Sequence, residues 1–195
     1  MTLGPGLRAL GLTAALALTA CASAGRGPTP LAKVDLKAVY GDWYIVATMP
    51  NVLERGVAES HDHFAPRAGG VREDSEMRRG GFDRPRQHFV VAIDVLAGTN
   101  NADWRVKPFW PVRLPFQVLW VDPGGRFLLF GEQDRRWGWI YSRDQRISDQ
   151  DYAAMLGRFA ALGYDTSKFR RTVQFPDQIG QPGVWGDGIR ASRRD

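Results

Sequence analysis

The sequence predicts an all-β fold, a sandwich or a barrel, with one α-helix close to the C-terminal end. Short apolar or alternating runs recur from Tyr40 onward, and turn residues at hairpin spacing separate them. Short strands at near-regular spacing are typical of sandwiches and barrels. With 195 residues, 44% of them hydrophobic, the chain suits one globular domain with its own core.

The predicted strands are separated by glycine-, asparagine- and proline-rich turns. Residues 80–81 are Gly-Gly, residues 100–101 are Asn-Asn, and residues 122–125 are Asp-Pro-Gly-Gly, all of which favour tight connections. In chain order the strands are predicted over 44–49, 56–64, 71–78, 88–96, 104–107, 116–121, 127–130, 137–141 and 169–175.

One segment has helical spacing. Ser148 is a favourable N-cap, and Asp149 and Asp151 in the first turn complement the helix dipole. Gly163 is the expected residue at the C-terminal cap. The apolar face of this helix is predicted to pack outside the sheet, and it consists of Tyr152, Met155, Leu156, Phe159 and Leu162.

The first residues have the pattern of a processing signal. An uncharged run of small and apolar residues, 9–20, follows Arg8 and is too short to span a bilayer, which needs about 20 apolar residues. The run ends in Leu-Thr-Ala before Cys21, and this resembles a bacterial lipobox. Cys21, the only cysteine, is therefore predicted to carry lipid on its sulfur and its amino group. Ala22, where an Asp would indicate inner-membrane retention, favours the outer membrane by the same resemblance.

Gly41-Asp42-Trp43-Tyr44 resembles the Gly-x-Trp signature that opens the first strand of lipocalins. The order of strands, one helix and a last strand also matches that family. Three further segments resemble it, at 54–56, 139–143 and 162–168. With the lipobox, the likeness over about 35–175 indicates the bacterial outer-membrane lipoprotein branch. It implies an eight-stranded antiparallel up-and-down lipocalin barrel with one C-terminal α-helix packed outside.

The resemblance also implies structural roles for three residues. Gly41 permits a tight entry into the strand, and Trp43 points inward and plugs the closed end. Arg143 lies across the Trp43 ring in a cation–π contact. The sequence departs from the family at 122–125, where Asp122 is kept but the family's following Tyr is missing, which leaves the packing of that loop open.

These features divide the chain into four segments. The prediction is a signal peptide over 1–20, a lipidated cysteine and flexible tether over 21–34, the barrel domain over 35–176 and a loose tail over 177–195. The location expected from the resemblance is the outer membrane, lipid-anchored and facing the periplasm.

An eight-stranded barrel can hold one small ligand. The resemblance implies a fatty acid or a lysophospholipid, for lipid binding, transport or envelope maintenance. Side chains alternate between the two faces of a strand, so counting from Trp43 places Ile45 and Ala47 inside, and the resemblance implies the same for Phe64. The other candidates for the apolar wall are Val106, Phe109, Phe116, Val118 and Trp120. Arg105, Lys107 and Arg113 are candidate partners for an anionic head group. The predicted third strand is charged on both faces, so a more polar pocket stays open, and a simple fatty acid would suit such a pocket less well.

Three other interpretations compete with a lipid-binding barrel. The aromatic side chains could fill the barrel, which would make the protein a structural or interaction lipoprotein. His61, His63 and His88 could bind Zn²⁺, although counting from Phe64 places the first two outside the barrel. An enzyme is not predicted, because no nucleophile, phosphate-binding or redox-cysteine motif is present.

No catalytic residue, metal or cofactor is therefore expected. The net charge of +5 is scattered along the chain, which speaks against a nucleic-acid partner, and a homodimer stays open.

Overall fold

The computed structural model describes residues 32–190. The predicted signal peptide, the lipidation site Cys21 and nearly all of the predicted tether lie outside the described residues. The elements follow in the order α1 Leu36–Val39, β1 Gly41–Thr48, β2 Val57–Arg67, β3 Gly70–Arg79, β4 Arg86–Val95, β5 Asp103–Lys107, β6 Leu114–Val121, β7 Phe127–Gly131, β8 Gly138–Ser142, α2 Asp149–Ala161, β9 Arg170–Thr172 and β10 Val184–Trp185.

Strands β1 to β8 form a closed up-and-down barrel. Each strand pairs antiparallel with the next one along the chain, and β8 returns to pair with β1, with Tyr44 opposite Ser142 and Ile45 opposite Tyr141. Strand β9 adds to the outer part of β1, and β10 pairs with β9 in parallel. The predicted eight-stranded antiparallel barrel is confirmed.

The turn between β6 and β7, which lacks the family's Tyr after Asp122, is closed by hydrogen bonds to Asp122. The Asp122 carboxylate accepts a hydrogen bond from the Arg126 backbone N–H at 3.1 Å, and the Asp122 carbonyl accepts one from the Gly125 N–H at 2.8 Å. The Arg126 guanidinium then reaches Asp151 at 3.3 Å. The turn is held by its own aspartate and tied to α2.

The helix α2 lies outside the barrel, as predicted. The Ser148 hydroxyl accepts a hydrogen bond from the Asp151 N–H at 3.0 Å, which caps the helix, and Gly163 follows its end with a φ of +83°. Met155 and Phe159 are buried against the barrel. The outer faces of the strands contribute Val46, Leu119, Leu129 and Ile140 to the same cluster.

Both ends of the barrel domain extend beyond the predicted boundaries. The Val34 N–H donates to the Asn100 carbonyl at 3.0 Å, so the folded part begins before residue 35. The segment 177–190 is not the loose tail that its composition predicts, because β10 joins the sheet and the Arg190 N–H donates to the Gly80 carbonyl at 2.9 Å. Within residues 32–190, no helix combines the length and apolar content that crossing a membrane requires.

Candidate ligand-binding cavity

The barrel contains a cavity of about 340 Å³ that opens at one end, here called the mouth. The mouth lies among Leu53, Phe89 and Phe109, which line the cavity and are also exposed to solvent. Next to them Trp110 is 92% exposed, so the rim of the mouth is apolar. The remaining apolar wall consists of Ile45, Phe64, Met77, Val91, Ile93, Trp104, Val106, Pro108, Leu114, Phe116, Phe130 and Trp139.

Aromatic rings form the floor of the cavity. The Phe64 ring lies 6.0 Å from those of Trp104 and Phe130 and 6.1 Å from that of Tyr141, measured between centroids. Below this layer Trp43 is fully buried, and its indole N–H donates to the Val39 carbonyl at 2.6 Å. The helix α1 thus closes the barrel at the end opposite the mouth.

The structure brings Gly41, Trp43 and Arg143 together at the closed end. The Arg143 guanidinium carbon lies 3.6 Å from the centroid of the Trp43 ring, and its nitrogens donate to the carbonyls of Asp42 at 2.5 Å and Tyr40 at 2.7 Å. Gly41 has a φ of +94°, and a Cβ at this position would lie 3.1 Å from the guanidinium. Glycine is required there for both reasons.

Arg143→Lys is expected to lower the free energy of unfolding by about 1.5–3 kcal/mol, because a lysine cannot serve two separate carbonyls and also lie flat on the indole. Urea unfolding of the purified variant measures this loss. The matched control is Arg136→Lys, whose side chain is 69% exposed and which is expected to change stability by less than about 0.5 kcal/mol. Equal stability of the two variants would contradict the role given to Arg143.

The structure separates the predicted wall residues into two groups. Those that line the cavity are Ile45, Phe64, Val106, Phe109 and Phe116. Val118 is buried in the inner core but does not line the cavity. Ala47 and Trp120 belong to the outer cluster beneath α2, where the Arg158 guanidinium lies 3.6 Å above the Trp120 ring.

Two β-bulges place Ala47 and Trp120 outside. The β1–β8 register shifts between Ile45 and Ala47, and the β6–β7 register shifts between Val118 and Trp120. A bulge adds one residue and reverses the inward and outward positions beyond it. The expectation that these two side chains face inward is therefore wrong.

The wall also carries three carboxyl groups, from Glu54, Asp62 and Glu73, which we call the acidic cluster. Glu54 follows β1, Asp62 lies on β2, and Glu73 lies on β3. The count from Phe64 placed Asp62 inward, but none of the three was predicted as a site residue. Phe64 lies directly opposite Glu73 on the neighbouring strand, and such partners point to the same face of a sheet. With that register, the predicted inward orientation of Phe64 implies that Glu73 also faces inward.

Burial dominates the electrostatics of the acidic cluster. It raises the pKa of Glu54 to about 7 and that of Asp62 to about 6, and it holds the pKa of Glu73 well above its usual range. Two hydrogen bonds partly offset the rise in the pKa of Glu54. The Trp139 indole N–H donates to the Glu54 carboxylate, and the Asn51 amide donates to it at 3.1 Å.

The histidines lie on the outer surface. The Asp42 carboxylate lies 3.2 Å from His61 Nε2 and 2.8 Å from His63 Nδ1, and His88 lies 3.3 Å from Asp74. Among residues 32–190, no three acidic, histidine or cysteine side chains come together in a way that could hold a metal ion.

The candidate head-group cations also lie away from the cavity wall. Lys107 forms an ion pair with Asp94, and Arg105 lines a separate surface pocket between β5 and β7. Arg113 is exposed and does not line the cavity.

Comparison with known proteins gives several matches. The family model of the lipocalin-like domain matches residues 34–174. The outer membrane lipoprotein Blc of Escherichia coli (strain K12) is 29% identical over 165 residues, which cover 80% of this chain and 90% of that protein. The temperature-induced lipocalin-1 of Arabidopsis thaliana is 33% identical over 152 residues, covering 72% of this chain and 80% of the plant protein.

Solved structures share the fold at lower identity. Insecticyanin from the tobacco hornworm Manduca sexta superposes with a TM-score of 0.60 at 14% identity, covering 84% of this chain and 89% of its own. Lobster apocrustacyanin A1 gives 0.59 at 15% identity, with 71% and 79% covered. The closed barrel, the Trp43–Arg143 contact and the family match over 34–174 lead to one conclusion: the chain belongs to the lipocalin family, and it is similar to the bacterial outer-membrane lipoproteins within it.

Proposed function

We propose that this protein is a membrane-anchored lipocalin that binds one lipophilic ligand in its cavity. The observation that carries the proposal is the open, apolar-walled cavity of about 340 Å³. Ligand sites in proteins are commonly clefts of about 300–1,000 Å³ with mainly apolar linings and a few polar groups. Lipocalins are generally binding and transport proteins, so catalysis forms no part of the proposal.

The proposed ligand is an amphiphile with a single hydrocarbon chain, the class to which fatty acids and lysophospholipids belong. Each methylene removed from water contributes about 0.8 kcal/mol without requiring directional bonds. The apolar wall between Val91 and Phe116 is suited to this role.

The proposed location is the outer membrane, on its periplasmic side. Two observations support it: the lipobox ending at Cys21, and the similarity over 80% of the chain to a protein named outer membrane lipoprotein. Lipidation at more than one position would make the attachment stable, because one acyl chain alone binds a membrane reversibly.

The rival interpretation, a barrel with a filled interior, is supported by the aromatic floor. Phe64, Trp104 and Phe130 occupy the lower part of the barrel and leave no room for a ligand there. The cavity above them favours the binding function, and a direct binding test separates the two.

Val106→Trp is expected to abolish ligand uptake, because Val106 lines the cavity and the larger ring would fill space that the ligand needs. The measurement is native mass spectrometry of the chain from Ala22 on, before and after incubation with lysophospholipids and fatty acids. The unsubstituted protein should show a one-to-one adduct that Val106→Trp lacks.

The matched control for this experiment is Arg105→Trp, which adds the same ring to the outer face of β5. This variant should keep the adduct. If the unsubstituted protein takes up nothing from any lipid mixture, the filled-barrel interpretation replaces the proposal.

A further inference from the structure

The acidic cluster is exceptional because its carboxyl groups face an apolar cavity. Three separate elements contribute them: the segment after β1 for Glu54, β2 for Asp62 and β3 for Glu73. All three carboxyl groups line the same cavity, and the charge of Asp62 raises the pKa of both glutamates. The chain folds so that like charges converge where their hydration is poorest.

Among the described residues, no basic side chain neutralises the acidic cluster. Within residues 32–190, none of the three carboxyl groups forms an ion pair with a lysine, arginine or histidine. Asp62 is 1% exposed, lines the cavity, and its Oδ1 has no hydrogen-bond partner. A buried, unpartnered carboxylate oxygen is rare in proteins and is costly to maintain.

Acids on the outer face of the same two strands behave differently. Glu59 pairs with Arg78 and with Arg86, and Asp74 pairs with Arg72. Arginine is thus abundant around β2 and β3, yet none of the arginines within residues 32–190 lines the cavity. The missing partner of the acidic cluster is a group that the ligand can supply.

The chemistry of the cavity specifies that group. A protonated amine donates up to three hydrogen bonds and carries the charge that the carboxylates lack. The aromatic floor of Phe64, Trp104 and Tyr141 offers ring faces and edges near the same place, and an ammonium group is attracted to such faces. A carboxylate or phosphate would meet like charge there, with none of the candidate rim cations on the cavity wall.

We infer that the acidic cluster of Glu54, Asp62 and Glu73 binds the ammonium group of an amphiphilic amine, whose hydrocarbon chain extends along the apolar wall toward the mouth. This inference rests on the proposed function, because it names the ligand class of the same cavity. Within the class of single-chain amphiphiles it selects a cationic head group over an anionic one.

Amine binding by the acidic cluster should depend on pH, and groups on the neighbouring elements influence the pKa values of its carboxyls. The Asp62 carboxyl faces Ser75 and Tyr141, and the charge of His61 acts on it from β2. Glu73 is next to Asp74, which raises its pKa, and Glu54 faces the Trp139 indole. At pH 5 the acidic cluster is largely protonated, whereas an alkylamine stays cationic up to about pH 10, so amine affinity should rise between pH 5 and pH 8.

The test compares three probes with the same alkyl chain: dodecylamine, dodecanol and dodecanoate. Isothermal titration calorimetry uses the mature chain, residues 21–195, with Cys21→Ser, which keeps every described residue. At pH 8 dodecylamine should bind at least about tenfold more tightly than dodecanol, and dodecanoate more weakly than dodecanol. The amine should lose about tenfold in affinity at pH 5.

The double variant Asp62→Asn, Glu73→Gln should bind dodecylamine no more tightly than dodecanol while keeping its affinity for the alcohol. The alcohol therefore reports whether the cavity itself remains intact. The matched control is Glu76→Gln on the outer face of β3, which should leave all three affinities unchanged.

The possible failures are distinguishable. If dodecanoate binds as tightly as dodecylamine, or if the double variant keeps the amine preference, the inference is overturned while the proposed function stands. If none of the three probes binds, the proposed function and the inference fail together.

Discussion

Trp43→Ala is expected to lower the free energy of unfolding by about 3–5 kcal/mol, the cost typical of removing a large aromatic side chain from a packed core. Trp43 is fully buried, and its indole N–H holds the Val39 carbonyl at 2.6 Å. The alanine would also leave the Arg143 guanidinium without the ring that lies 3.6 Å from it. The closed end would lose its plug, its link to α1 and its cation–π contact at once.

Urea unfolding followed by far-ultraviolet circular dichroism measures this loss, since the curve does not depend on tryptophan fluorescence. The matched control is Phe109→Ala, an aromatic truncation at a position 66% exposed at the mouth, which should cost less than about 0.5 kcal/mol. A loss below about 1 kcal/mol at Trp43 would show that the closed end does not depend on this side chain.

The ligand-free protein is expected to be more stable at pH 5 than at pH 8. The folded-state pKa of Asp62 is about 6 and that of Glu54 about 7, both above their ordinary values. Burial favours the protonated form of these carboxyl groups over the charged form. Their contribution to the free energy of unfolding is therefore complete below about pH 4 and is lost as the pH rises through the folded-state pKa values. For Asp62 the rise of the pKa from 3.8 to about 6 corresponds to about 3 kcal/mol in total, of which about 1.4 kcal/mol is lost between pH 5 and pH 8.

Other carboxyls act in different pH windows or outside the cavity. The pKa values of Asp42 and Asp94 are lowered by His63 and Lys107 respectively, so these groups lose their stabilising charge only below about pH 4. Burial raises the pKa of Glu132, at the surface pocket between β5 and β7, to about 7, so it contributes with the same sign as the acidic cluster.

The experiment for this second expectation is urea unfolding at pH 5 and pH 8. Asp62→Asn should reduce the difference without abolishing it, because Glu54 and Glu73 remain in the cavity, while Glu76→Gln on the outer face of β3 should leave it unchanged. The additional variant Glu132→Gln measures the share that does not come from the cavity. Stability that rises from pH 5 to pH 8 in the unsubstituted protein would contradict the burial of uncompensated carboxyls.

The elements that local sequence determines were predicted well. The cap at Ser148 and the glycine at 163 set the limits of α2 because they satisfy the free backbone groups at its ends. The strands followed from alternation and turn residues. The closure of β8 onto β1 followed from family resemblance and not from any local pattern, because pairing between distant strands leaves no mark in either strand alone.

The wall of the cavity was predicted only in part, for a physical reason. Counting by two holds until a strand contains a bulge, and the shifts after Ile45 and after Val118 lie in runs whose composition is apolar on both faces. The inward orientation of Glu73 depends on its register with Phe64, which a charged strand does not reveal by itself. The ordered segment up to Arg190 was missed because backbone hydrogen bonds, and not apolar spacing, hold it.

The position at which the chain enters the barrel determines which surfaces the mouth can reach. The segment before α1 leads to the closed end, where Val34 bonds to Asn100, while Phe109 and Trp110 stand at the opposite pole. An anchor at Cys21 would therefore attach the barrel to the membrane through its closed end. Residues 22–33, if fully extended, would reach at most on the order of 40 Å, whereas the tilted strand β2, Val57–Arg67, spans on the order of 30 Å along the barrel axis. The apolar rim could touch the anchoring membrane only if this segment were largely extended. With a less extended segment the mouth would face the aqueous space, and the proposed ligand would reach it by diffusion or from another carrier.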